Sequence, residues 1–361
     1  MQDGTFAAAP IAQRFTPLKI FILKPSSLGD VIQALPVLRL LKLHLPQSQI
    51  YWWLDSDLVP LLEGDPDLAG IIPFERHKWT SPFQWVDVWR SIKGIRAHRF
   101  DWVIDLQSLL RSGVVAWLAN GARTVGLDDA REGARGFYDV IIPRLTYHTH
   151  AVDWYLETLR ALGVPVHWNF TWLPERPRVV AAMKQHWQPR SGRWIALQPG
   201  ARWANKRWPI EHFAEAVKLL AKTCPDAHFA ILGGTSDRML GEALVQTAPT
   251  RCLDLTGRTS LPEMIEWVRW CELMVTNDTG PMHVAAALGK PVVALFGPTE
   301  PRRTGPYGQL GGVLQHPLPC APCMKDSCSY QKPLECLRAI SPQTVAARVA
   351  QILKHSSPAC A

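Results

Sequence analysis

Two Rossmann-like α/β domains in tandem, facing each other across a cleft, are the fold class this sequence predicts. Three observations carry that expectation. Short apolar runs without charges recur along the chain, as in strands buried on both faces of a parallel sheet. Each run ends in a turn of Gly, Ser, Asp or Pro and gives way to helix-like spacing, the βαβ rhythm. The stretch from Val164 to Arg193 holds four prolines and interrupts the series at its midpoint.

The elements follow in order. "LKIFIL" (Leu18 to Leu23) reads as the first strand, and "KPSSLGD" breaks it. Val31, Ile32, Leu35, Leu38 and Leu41 then recur at helical spacing, with Pro36 expected to kink the helix or start a second one. "QIYWWL" (Gln49 to Leu54) and "DWVIDL" (Asp101 to Leu106) are further strands. A second series comprises "WIALQPG", "HFAILGG", "LMVTN" and "PVVALFG", and Ser341 with Pro342 opens a terminal amphipathic helix. The expected organisation is a disordered leader over 1–17, an N-terminal Rossmann-like domain over 18–170 and a connection over 171–192. A nucleotide-binding domain over 193–340, containing a Cys-rich segment at 320–336, precedes a helix and tail over 341–361.

A chain of 361 residues suits two domains at roughly 100–200 residues each. With 47% hydrophobic and 19% charged residues it has material for real cores, which argues against disorder. The 39 Lys+Arg against 31 Asp+Glu leave a formal charge of +8, which serves solubility and equally suits an anionic partner such as a nucleotide, phosphorylated lipid or membrane face. No apolar run reaches the roughly 18 residues of a membrane span. The opening "MQDGTFAAAPIAQRFTP" lacks the basic and apolar regions of a secretory signal, so a cytoplasmic location is expected. No G-x-G-x-x-G follows a predicted strand, which disfavours an NAD-dependent oxidoreductase. The dispersed basic residues and absent motifs disfavour nucleic acid.

Ligands of such sheets bind beyond the carboxyl ends of the strands, and three turns there carry chemistry. In "NDTGPMH", Asp278, Thr279 and Gly280 precede a helix with Pro281 in its first turn. Free N–H groups and the helix dipole favour an anion such as a diphosphate at that point, and His283 is placed to donate to it. A capping Asp or Thr with a surface His is the plainer alternative. In "PGARWANKRWP", Gly200 allows close backbone approach, and Arg202, Lys206 and Arg207 supply the charges of a phosphate clamp or of a solvated basic loop. In "KPSSLGDVIQALP", Asp30 stands between a glycine and the first helical residue, either as an N-cap or as a base. A carboxylate opposite a cationic clamp is the minimum for displacing a nucleoside diphosphate: one takes the acceptor's proton, the other stabilises the leaving charge.

In order and spacing, "SSLGDVIQALP", "PGARWANKRWP" and "NDTGPMHVAAALGKPVVALFGPTEP" resemble the landmarks of the ADP-heptose:lipopolysaccharide heptosyltransferases, glycosyltransferase family 9. "DLQSLLRSGVVAWLA" (Asp105 to Ala119) resembles a further segment, and the likeness spans about residues 19 to 350. It implies a GT-B fold and inverting transfer of a heptose from ADP-heptose to the lipopolysaccharide inner core, with no cofactor required for catalysis. Asp30 is then the general base, and Lys24 serves the acidic acceptor or the transition-state charge. Ser27, Gly29, Gly200 and Arg202 line the substrates, Lys206 holds the diphosphate or sugar, and Asp278 holds heptose hydroxyls. Thr279, Gly280 and His283 line the nucleotide-diphosphate site. Peripheral contact with the inner-membrane face accompanies such an acceptor. The second loop is similar to the type II enzymes, having Ala201 and Arg202 where type I tends to carry paired threonines. The N-terminal half is more similar to type I. The rival readings are a GT-B transferase or epimerase using another nucleotide sugar, and a non-catalytic regulator binding nucleic acid or metal.

Cys320, Cys323, Cys328 and Cys336 begin with a CxxC pair and are candidates for a structural zinc site, or remain reduced thiols. Among the 16 tryptophans, Trp79, Trp85 and Trp89 fall in a basic segment. Trp85 and Trp89 share one helical face and are expected to pack in the core.

Overall fold

The computed structural model describes residues 17–76, 85–129 and 132–356. Nearly all of the expected leader, Trp79 and the last five residues lie outside them. The chain divides into two compact units, ending at Trp172 and beginning at Leu173.

The first unit is built on six parallel strands: β1 (Lys19–Leu23), β2 (Gln49–Asp55), β3 (Gly70–Phe74), β4 (Trp102–Asp105), β5 (Arg123–Leu127) and β6 (Val140–Ile142). Their spatial order is β3-β2-β1-β4-β5-β6. β1 is central, with Ile20 opposite both Ile50 and Trp102, and Ile20 to Leu23 are fully buried. The order reverses between β1 and β4, so the turns that follow these two strands define the crevice where such sheets take ligands.

The helices of this unit are α1 (Leu28–His44), α2 (Val59–Leu62), α3 (Trp85–Ala97), α4 (Leu110–Ala119) and α5 (Ala151–Ala161). α1 packs against α5, and α3 against α4. Phe21, Leu23 and Trp53 meet Ile92, Ile95, Val115 and Ala116 beneath α3 and α4. Two expectations are corrected. α1 runs unbroken through Pro36, which is buried in its middle, so no second helix starts there. Trp89 is 60% exposed, because the inward stripe of α3 runs through Val88, Ile92 and Ile95 and the next residue lies roughly 100° round the helix. Buried Arg39 of α1 is matched by Asp65 and Asp67, each at 2.6 Å, and its Nε donates to Trp172 O at 3.0 Å. A guanidinium at 5% exposure needs such complete pairing.

The second unit repeats the plan with β7 (Arg193–Gln198), β8 (Ala227–Ile231), β9 (Cys252–Asp254), β10 (Leu273–Asn277), β11 (Val292–Phe296) and β12 (Val313–Gln315), ordered β12-β11-β10-β7-β8-β9. Its switch point lies between β7 and β10. Its helices are α6 (Pro177–Trp187), α7 (Ile210–Thr223), α8 (Arg238–Thr247), α9 (Leu261–Trp270), α10 (Gly280–Ala287), α11 (Pro301–Thr304), α12 (Glu335–Arg338) and α13 (Pro342–Ser356). α6 packs on α9, and α13 on α7 over a core of Phe213, Val217, Val345 and Val349. Ser341 caps α13 by accepting from Thr344 N at 3.1 Å.

Candidate functional site

Each unit places a charged turn at its switch point. In the first, α1 begins at Leu28, three residues earlier than the sequence pattern implies, which makes Ser27 the N-cap and Asp30 the third helical residue. Asp30 Oδ2 accepts from Ser27 N at 2.9 Å and from Ser27 Oγ at 2.7 Å, the reciprocal half of a capping box. The carboxylate is therefore held at one geometry at the mouth of α1 and stays partly exposed, while Gly29 is buried and Ser27 exposed.

Lys24, directly after β1, is 4% exposed. Its Nζ donates to Leu106 O at 3.0 Å, bridging the switch point from the end of β1 to the end of β4, and lies 5.0 Å from the Tyr155 ring centroid. Burial works against the ammonium, yet Tyr155, Asp30 and Asp105 outweigh it and raise its pKa above the ordinary lysine value. Lys24 is thus a fixed positive charge behind Asp30. Asp105 closes the next turn, accepting from Gln107 N and Ser108 N, both at 2.9 Å, and from Tyr138 Oη at 2.8 Å. Burial pushes its carboxyl above the usual range in spite of these donors.

Beside the Ser26–Ser27 turn lies a cavity of about 260 Å³ whose walls include Trp53, Phe74, Arg76, Gln107 and Arg111. Arg76 donates to Ser26 Oγ at 3.0 Å, and the Arg111 guanidinium lies 5.7 Å from the Phe74 ring centroid. Two cations on an aromatic wall suit a carboxylate or phosphate.

In the second unit Asn277, fully buried at the end of β10, joins the two switch-point loops. It donates to Pro199 O at 2.7 Å and accepts from Trp208 N at 3.0 Å. This orients Asp278, 7% exposed, whose Oδ2 receives Lys206 Nζ and Thr299 Oγ1, each at 2.6 Å. The Lys206 ammonium also sits 4.6 Å from the Trp203 ring centroid. Thr279 takes the N-cap position of α10 without a side-chain capping bond, the helix's second residue is Pro281, and His283 is buried at 8% exposure on the same helix. A helix N-terminus beside a lysine is a place for phosphate oxygens. Arg202 is exposed, and Arg207 turns back to close its own loop by donating to Ala201 O at 2.8 Å. At Gly200 a Cβ would come within 2.4 Å of the Asp237 carboxylate, so a side chain is excluded there by a residue the sequence pattern does not flag.

The four cysteines converge. Cys320, Cys323, Cys328 and Cys336 all line one cavity of about 140 Å³, together with Asn205 and Lys325. The Cys328 thiol accepts from Leu334 N at 3.4 Å, and that contact and one from the Tyr330 N–H hold its pKa below the usual value. Burial pushes the Cys336 thiol up, reinforced by Cys328, Cys320 and Cys323 nearby.

The sequence profile of glycosyltransferase family 9 (heptosyltransferase) matches residues 88–334, more than half of the chain. The chain belongs to glycosyltransferase family 9. It is a glycosyltransferase of GT-B architecture, two Rossmann-like units in one polypeptide. Lipopolysaccharide heptosyltransferase 1 of Pseudomonas aeruginosa is 28% identical to it, over 93% of this chain and 98% of that protein. Lipooligosaccharide heptosyltransferase 2 of Haemophilus influenzae is 26% identical, over 82% of this chain and 88% of the relative. The fold is shared with E. coli ADP-heptose lps heptosyltransferase II (TM-score 0.75, 24% identity, 94% of this chain and all of that one). A family 9 glycosyl transferase from Veillonella parvula shares it too (TM-score 0.79, 24% identity, 96% of this chain and all of that one).

Within this family 9 chain, sequence reasoning passed over Asn277, Thr299, Asn205, Asp237 and Tyr155. Asn277 and Thr299 had a signal, since Asn277 ends β10, Thr299 lies in the turn after β11, and both turns contain Gly. Nothing local marks Tyr155, which reaches Lys24 from the middle of α5.

Proposed function

We propose that this family 9 glycosyltransferase moves a heptose from ADP-heptose to the lipopolysaccharide inner core with inversion, Asp30 acting as general base. The observation that carries the reading is the Lys206–Asp278–Thr299 cluster at the mouth of α10. It offers a cation and a helix N-terminus to a diphosphate, and a carboxylate to sugar hydroxyls. Asp30 removes the proton from the acceptor hydroxyl as its oxygen attacks the anomeric carbon. The bond from that carbon to the diphosphate breaks on the opposite side, and Lys206 with the α10 dipole takes up the leaving charge. Lys24 acts from behind, positioning Asp30 electrostatically. The cavity with Arg76 and Arg111 is assigned to the acidic groups of the acceptor. Arg76 and Arg111 supply its positive charge, against Glu132 on the same wall and Asp55 at 3.7 Å from Arg76.

A thermal-shift panel of nucleotides and nucleotide sugars tests the donor. ADP and ADP-heptose at about 100 times their Kd should stabilise the chain by about 2.7 kcal/mol. UDP- or GDP-sugars stabilising it equally would overturn the assignment.

An acceptor embedded in a membrane also calls for a docking face. The outer faces of the adjacent α3 and α4 expose Trp89 and Trp117, each at 60%, with Val86 at 43% and Leu110 at 48%. Arg90, Lys93, Arg96 and Arg111 are exposed among them. Aromatic and aliphatic groups ringed by cations fit an anionic lipid surface. No described helix is long and apolar enough to cross a membrane. At about 1 kcal/mol per cation, replacing Arg90, Lys93 and Arg96 by Ala should weaken binding to phosphatidylglycerol vesicles roughly 100-fold. KM for a vesicle-borne acceptor should rise while ADP affinity stays unchanged. Equal losses toward acceptor and donor would contradict this role.

A further inference from the structure

Residues 316–334 form a long stretch without helix or strand. Loops longer than about 12–15 residues without secondary structure of their own are uncommon in compact domains, and an ordered one needs ties. This one places four thiols around a single cavity, three of them exposed or half-buried and so reachable from solvent. Asn205, 6% exposed on the same wall, leaves its Oδ1 without a hydrogen-bond partner. Among the described residues no three such side chains already stand at coordinating spacing. Drawing the sulfurs together asks for movement only of turns, since Cys320, Cys323 and Cys328 all lie in the stretch and Cys336 alone is held by a helix.

We propose that Cys320, Cys323, Cys328 and Cys336 bind one thiophilic divalent ion of the zinc class, and that the closed loop braces the donor-side turns. The donor set fits. Four thiolates complete a tetrahedral site with no open position, which is a structural rather than a catalytic arrangement. The Leu334 N–H directed at Cys328 Sγ is an outer hydrogen bond of the kind that orients a ligand, and Lys325 on the wall offsets the negative charge of four thiolates.

The bracing follows from two contacts. Asn205 Nδ2 donates to Lys325 O at 2.8 Å, one residue before Lys206. Met324 N donates to Pro298 O at 2.7 Å, one residue before Thr299. The Cys loop therefore holds the two turns whose side chains meet on Asp278. This second half rests on the donor reading above; the metal content does not.

The test uses the full chain purified under reducing conditions without added metal, analysed by elemental mass spectrometry. About one zinc or iron per chain is expected, lost in Cys323→Ser and in Cys328→Ser and retained in Cys252→Ser. Replacing the ion by cobalt(II) should give the thiolate charge-transfer and tetrahedral d–d bands. Where a serine variant does not fold, chelator treatment of the unaltered chain replaces it, and ADP affinity should fall roughly two- to thirty-fold on metal removal. Less than roughly a tenth of an ion per chain, with the four thiols reactive or paired as disulfides, would overturn the site. A stoichiometric ion whose removal leaves ADP affinity unchanged would overturn the bracing. Failure to bind ADP in any form sinks the donor reading and leaves the metal site standing.

Discussion

Asp30→Asn should lower kcat by roughly two to four orders of magnitude while leaving ADP affinity within experimental error, the usual worth of a general base. Asparagine is chosen because Asp30 has a second occupation. Its Oδ2 accepts both the backbone N–H and the hydroxyl of Ser27, so alanine would remove a cap as well as the proposed base. Losing such a cap costs about 0.5–2 kcal/mol, enough to lower the melting temperature and confuse the result. An amide oxygen can still accept from Ser27, yet it has no useful basicity. The Asn variant should therefore melt close to the parent and still fail to turn over, and the Ala variant should melt lower and fail equally. Both variants turning over within tenfold of the parent would show the carboxylate to be helix scaffolding. The capping contact is no obstacle to the catalytic role. It fixes the side chain at one rotamer in a turn otherwise made of Ser and Gly, and a positioned base is what the reaction needs.

The central strands of both sheets were legible because they are buried on both faces. β1, β7, β10 and β11 show uninterrupted apolar runs, and the turns that follow them carry the charged residues. Edge strands hide for the opposite reason. β3 contains Pro73 and begins at Gly70, while β6, β9 and β12 span three residues each, too short for a pattern to repeat. The start of α1 was misplaced because "SSLGD" offers several capping residues in a row, and only the backbone decides between Ser27 and Asp30. Pro36 misled because a helix buried from Val31 to Leu41 and packed on α5 can tolerate the one hydrogen bond it lacks. Trp89 was read from its spacing to Trp85, but spacing identifies a shared face and not which face turns inward. The partnerships of the site are hardest to read. Asn277 meets Pro199 across 78 positions, and Lys206 meets Asp278 across 72, distances that no local motif encodes.

Lys206→Ala should cut kcat/KM roughly 100- to 1,000-fold, the scale of removing one donor that stabilises a developing anion. It should also destabilise the fold, and the two effects are separable. Lys206 and Asp278 meet at 2.6 Å with side-chain exposures of 18% and 7%, so deletion of the lysine strands a nearly buried carboxylate. That costs about 2–4 kcal/mol, at the lower end for buried pairs because the lysine keeps some solvent. The melting temperature should fall by roughly 4–16 °C at the entropy of a domain this size. Thr299 still donates to Asp278, but a hydroxyl does not neutralise a charge. Adding Asp278→Asn removes the stranded charge, so the double variant should recover most of the lost stability. The decisive comparison is between the double variant and Asp278→Asn alone. If Lys206 serves only to neutralise Asp278, removing it from the Asn background costs no activity. If it holds the diphosphate, the 100- to 1,000-fold loss persists there, because the anion it attracts then arrives with the substrate.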